Sequence, residues 1–73
     1  MIDNRTEMVL REIACNADTQ HRVSAFQMQR KLEPNSQTII ETLVEQKVII
    51  LVEDNPSDYY QFTEHGWKKY GCR

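Results

Sequence analysis

Apolar residues recur along this chain with two different periods, and the change of period divides it. Val9, Leu10, Ile13, Ala14 and Ala17 fall on one helix face, with Arg5, Glu7, Arg11 and Glu12 left outside. The spacing predicts a first helix over about residues 3–17. The segment from Asn16 to Gln20 carries turn formers and no periodicity, and reads as a loop. A start signal follows. Ser24 stands three residues before Gln27, as in a capping box in which each caps the other's backbone, while Val23 and Met28 occupy the positions of a hydrophobic staple. A second helix is predicted over about 25–32, with Ala25, Met28 and Leu32 inward. It ends before Pro34, because the residue preceding a proline is driven from the helical region. Ile39, Ile40, Leu43 and Val44 mark the stripe of a third helix, about 36–46. Glu33-Pro34 alone links the two, too short for full antiparallel contact, so a steep crossing is expected.

After Lys47 the period drops to two. Val48 to Glu53 is β-branched and apolar, Asp54-Asn55-Pro56-Ser57-Asp58 is a dense turn signal, and Tyr59 to Thr63 alternates. Together they predict a hairpin over about 48–63. Tyr60 and Phe62 share its core face and Tyr59 takes the other. Thr63 then caps a short helix, about 64–70. The expected fold class is α+β: one domain spanning residues 1–73, with three helices, a two- to three-stranded β-wing and a short C-terminal helix.

Two segments carry a family resemblance. Leu43-Val44-Glu45-Gln46-Lys47-Val48-Ile49 resembles the Leu-x-x-x-Gly-Leu-Ile segment that closes the recognition helix of MarR/PadR-type regulators. Tyr60-Gln61-Phe62-Thr63-Glu64-His65-Gly66 is similar to their Tyr-x-Leu-Thr-x-x-Gly after the wing. The lengths between agree, and the likeness covers about residues 23–67. It implies a winged helix-turn-helix domain binding double-stranded DNA as a transcription regulator, with the third helix in the major groove. Matched positions imply base contacts from Asn35, Gln37, Thr38 and Glu41, with Thr42 nearer the backbone. Ser36 with Arg22, Arg30, Lys31 and Lys47 would hold phosphates, and Asn55 and Ser57 would stand at the wing. Two departures concern function. Lys47 replaces the usual glycine, which suggests a helix end without a left-handed residue, or a frayed one. Asp54 and Asp58 make the wing acidic where a DNA-contacting wing usually offers Arg or Lys.

Composition sharpens the choice. Nine basic and eleven acidic residues give a net charge of −2, so phosphate binding has to rest on a local basic face. The alternative to DNA is a winged helix that docks a protein partner, favoured by the acidic wing and by a third helix without arginine. The bland alternative is that the polar residues of that helix, Asn35, Ser36 and Thr38, only cap it and face water, and that Lys31 pairs with Glu33 beside it. Tyr59, Tyr60, Phe62, Trp67 and Tyr70 are read as core bulk before stacking platforms. Lys68, Lys69 and Arg73 form a basic tail. Pairing of two copies would double the contacts, so a homodimer is expected, through helix one or the Trp67–Tyr70 end. Cys15 and Cys72 lie at opposite ends, in no Cys-x-x-Cys pair, and reduced thiols are expected. His21, His65 and Cys72 do not make a four-ligand metal site. Two glycines, Gly66 and Gly71, leave no phosphate loop, and no nucleophile elbow is present. The expectation is a non-enzyme without cofactor or metal, outside the membrane, with no secretory signal and hence cytoplasmic.

Overall fold

The Asp3 carboxylate accepts from the Thr6 N–H at 2.7 Å and so opens helix α1, Asn4–Cys15. The computed structural model describes residues 3–71; Cys72 and Arg73, and with them any role in a thiol pair, metal site or basic tail, lie outside the described residues. Helix α1 stops two residues short of the expected end. The Asn16 side chain donates to the Glu12 carbonyl at 2.9 Å, and its backbone N–H reaches Glu12 and Ile13, which closes the last turn. Ala17 still packs against the core from the loop.

A short strand β1, Arg22–Ser24, follows, and Ser24 caps helix α2, Ala25–Lys31, by accepting from the Gln27 N–H at 3.2 Å. Only this half of the capping box forms among the described residues. Ser24 is also the last residue of β1, opposite Tyr59 in a pair that shares no backbone hydrogen bond, and the sheet bond falls to the next residue, where the Ala25 N–H donates to the Asp58 carbonyl at 3.2 Å. Four residues, Leu32 to Asn35, separate α2 from α3, Ser36–Glu45. Leu32 turns inward (4% exposed) while Pro34 stays at the surface.

Strands β2 (Ile49–Val52) and β3 (Tyr59–Phe62) form the hairpin, and β1 adds to the far edge of β3, giving an antiparallel sheet of order β1-β3-β2. The register pairs Ile49 with Phe62 and Leu51 with Tyr60, which places all four on one face. The core collects Leu10, Ile13 and Ala14 from α1, Val23 and Met28 around α2, Ile40 and Leu43 from α3, and Val48, Ile49, Tyr60, Phe62 and Tyr70. Tyr60, Phe62 and Tyr70 are thus structural bulk, with Tyr59 and Trp67 half-buried at the margin, whereas Phe26 is exposed. Val44 departs from its expected place: it lies at the end of its helix and is 41% exposed. The architecture is α+β, four helices and three strands among the described residues, in the order of a winged-helix-like domain.

The end of α3 overturns the sequence expectation. Lys47 adopts the left-handed conformation, φ 61°. Its N–H donates to the Val44 carbonyl at 3.0 Å, and the Val48 N–H donates to the Leu43 carbonyl at 2.9 Å. This is a complete Schellman closure, with Val48 and Leu43 both fully buried as its apolar contact. Lysine serves where glycine is usual because the two bonds and the buried contact together outweigh a left-handed cost of about 1–2 kcal/mol.

Helix α4, Glu64–Tyr70, is locked to this same turn. The Thr63 hydroxyl donates to the Lys47 carbonyl and accepts from the Gly66 N–H at 3.0 Å, and the Thr63 N–H donates to the Val48 carbonyl at 3.0 Å. A Cβ on Gly66 would stand 2.0 Å from the Val48 carbonyl oxygen, so the glycine of the second motif is there to let α4 touch the turn. We expect Thr63→Val to cost about 1–2 kcal/mol through the lost cap. Gly66→Ala should cost upwards of about 2 kcal/mol, because the clash is with backbone. Lys47→Gly should instead stabilise by roughly 0.5–1 kcal/mol, the strain relieved less the chain entropy a glycine adds. Urea unfolding followed by Trp67 fluorescence measures all three.

Candidate nucleic-acid interface

Helix α3 presents the polar surface anticipated from the sequence. Asn35, Gln37, Thr38 and Glu41 are exposed, while Ser36 and Thr42 are half-buried. Asn35 occupies the position before the helix but makes no side-chain capping bond, so capping is not what its amide does here. The Thr42 hydroxyl donates to the Thr38 carbonyl at 2.9 Å and is occupied within the helix. The Gln37 amide donates to the Glu41 carboxylate at 3.4 Å, one turn on.

Of these, Ser36, Gln37 and Glu41 border a groove with α2 and the sheet, lined also by Gln29, Ile40 and Tyr60, whereas Asn35, Thr38 and Thr42 do not line it. Gln29 is therefore a member of this surface that sequence reasoning missed. It sits one residue off the apolar stripe of α2, and only the packing of α2 on α3 turns it toward the groove.

The four cations expected to hold phosphate, Arg22, Arg30, Lys31 and Lys47, do not form one group. Arg22, in β1, is held by Asp18: its Nε donates to the carboxylate at 2.8 Å, and its guanidinium lies 5.4 Å from the centre of the Tyr59 ring. Lys31 pairs with Glu12 on α1 at 3.4 Å, and not with neighbouring Glu33 as the sequence suggested. Residues 31 and 12 come together because α2 lays that side against α1. Both Arg22 and Lys31 line a groove between α1, β1 and α2, away from Gln37 and Glu41.

Arg30 and Lys47 remain, and among the described residues neither forms an ion pair. Arg30 lies over the exposed Phe26 ring at 5.9 Å, with Gln29 between it and the α3 groove. Lys47 closes the C-terminal end of α3. Arg5, not anticipated, lines a cleft with Pro34 and Asn35 at the opposite end of that helix and is likewise unpaired among the described residues. No sequence signal marks Arg5, since its nearness to Asn35 comes from the packing of α1. The wing loop, 53–58, carries exposed Glu53, Asp54 and Asp58, with Asn55 and Ser57 also exposed. The Asp58 carboxylate accepts from the Asp54 N–H at 3.3 Å, folding the acidic tip on itself.

Asp18 organises the turn before β1. Its carboxylate accepts from the backbone N–H groups of Gln20 and Arg22, each at 2.9 Å, as well as from the Arg22 side chain. The Arg22 backbone N–H, foremost, holds this carboxyl below its ordinary 3.8, and the same ion pair raises the Arg22 guanidinium. A depressed carboxyl stabilises the fold above its unfolded value and loses that contribution as pH falls through the folded value. The stability deficit of Asp18→Asn should therefore be complete at neutral pH and close on acidification below 3.8. Urea midpoints of both proteins at about pH 7 and about pH 3 check this.

No known protein family, no curated protein and no solved structure matches the chain.

Proposed function

We propose that this domain binds double-stranded DNA through α3, as a small winged-helix transcription regulator of the kind its two motifs resemble. The observation that supports the reading is the exposed row Gln37, Thr38 and Glu41, flanked by the unpaired cations Arg5, Arg30 and Lys47. Amide, hydroxyl and carboxylate groups are the chemistry that reads base edges in the major groove, and cations on both sides are what positions a helix there. Arg22 and Lys31 are secondary on this reading, since each would first have to leave its carboxylate. Two copies bound as a homodimer would suit half-sites one DNA turn apart, about 34 Å, close to the 33 Å longest extent of one protomer.

A docked protein partner is the second reading, favoured by a specific observation. Glu53, Asp54 and Asp58 crowd the wing, and Ile50 and Leu51 on edge strand β2 are 46% and 48% exposed. An acidic wing repels phosphate, whereas apolar residues beside it suit a basic protein surface.

Fluorescence anisotropy with a labelled random duplex decides between them. Three phosphate contacts predict a salt slope of about −3 for each protomer bound, hence a loss of roughly 40-fold in affinity per protomer between 50 and 200 mM salt. Lys47→Gly should lower that slope by about one while leaving the fold as stable as before or more so. No duplex binding at about 50 mM salt overturns the DNA reading.

A further inference from the structure

The contact between Gln37 and Glu41 bears on which base the helix reads. Both side chains are exposed, both border the α3 groove, and the Gln37 Nε2 donates one of its two hydrogens to a Glu41 carboxylate oxygen at 3.4 Å. Gln37 keeps one N–H and its Oε1 acceptor, and no other side-chain bond engages them among the described residues. One donor beside one acceptor is the complement of adenine, whose N7 accepts and whose N6 amino group donates. Guanine offers two acceptors at the same edge, N7 and O6, and would need two donors. Glu41 has already used the second.

We propose that Glu41 is a positioning residue rather than a base contact: it fixes the Gln37 amide so that the pair selects adenine and rejects guanine. The inference rests on the DNA reading above and adds base identity to it. Glu41 acts in three ways. It sets which end of the amide turns outward, since its carboxylate accepts only from the N–H end. It withdraws the donor that guanine requires. Its negative charge also repels the O6 acceptor of guanine, whereas adenine carries a donor amino group at that place; N7 is common to both bases and does not discriminate. The cost is general: a carboxylate on the groove face weakens attraction to every duplex. The residue therefore trades affinity for choice of base.

Selection from a random duplex pool, followed by anisotropy on the selected duplex and its single A·T to G·C variants, tests this. The wild-type protein should prefer adenine over guanine at one position per half-site by about tenfold or more. Glu41→Ala should bind all duplexes more tightly, yet bring adenine and guanine within about twofold of each other. Glu41→Gln keeps a carbonyl acceptor for the Gln37 N–H and should retain most of the preference. Gln37→Ala should abolish it. A merely structural role for Glu41 would change stability or overall affinity and leave the base ratio untouched. If duplex binding is present but Glu41→Ala keeps the wild-type ratio, or Gln37→Ala leaves it intact, this proposal falls and the DNA reading stands. If the wild-type protein binds no duplex at low salt, both fall.

Discussion

The hydroxyl of Thr63 joins the three parts of the molecule that would have to act together. It donates into the carbonyl of Lys47, where α3 ends, and accepts from Gly66, where α4 begins, while its own N–H holds the Val48 carbonyl at the start of β2. The position of the hairpin relative to α3 depends on this knot. Backbone carbonyls left over at a helix end would otherwise need water. Here they are used as the anchorage for the next two elements. The bare Gly66 lets α4 approach closely enough to complete the arrangement.

Lys47 stands at this junction with two demands on it. Its left-handed backbone closes the helix, and its exposed side chain forms no ion pair among the described residues. Glycine meets the first demand more cheaply and cannot meet the second. A strained backbone kept at a position whose side chain carries charge is what would be expected where binding outweighs a fraction of a kcal/mol of stability. At the wing the Asp58 carboxylate is turned onto its own loop, where it accepts from the Asp54 N–H.

The distribution of cations matters more than their number. A net charge of −2 says little about binding when the acids choose their partners unevenly. Asp18 and Glu12 engage Arg22 and Lys31 on the side toward α1, and Glu7 and Glu64 engage Arg11 and Lys68 along their own helices. Exposed pairs of this kind contribute little to stability. Their effect is to sort the surface: around α3, Arg5, Arg30 and Lys47 form no ion pair among the described residues.

Local rules were enough for the elements. The periods of three to four and of two placed every helix and the hairpin, and Asp3, Ser24 and Thr63 each cap within three residues of their own position, which is information a linear chain carries. The exposed row on α3 was also legible, because the apolar Ile40 and Leu43 fix which side of the helix turns to the core. Charge partners were not. Lys31 reaches across nineteen positions to Glu12, Arg5 comes to lie beside Asn35, and Gln29 joins the α3 groove only once helices are laid on one another. The left-handed Lys47 was misread for the same reason: its cost is local, but the buried Val48 and the Thr63 clamp that offset it belong to the assembled fold. Sequence alone determined the helices, the hairpin and most of their apolar faces, since these follow from backbone geometry within a few residues, whereas β1 forms only by pairing with the distant β3. Tertiary structure decided which charges are spent and which remain, since that depends on distances between residues far apart along the chain.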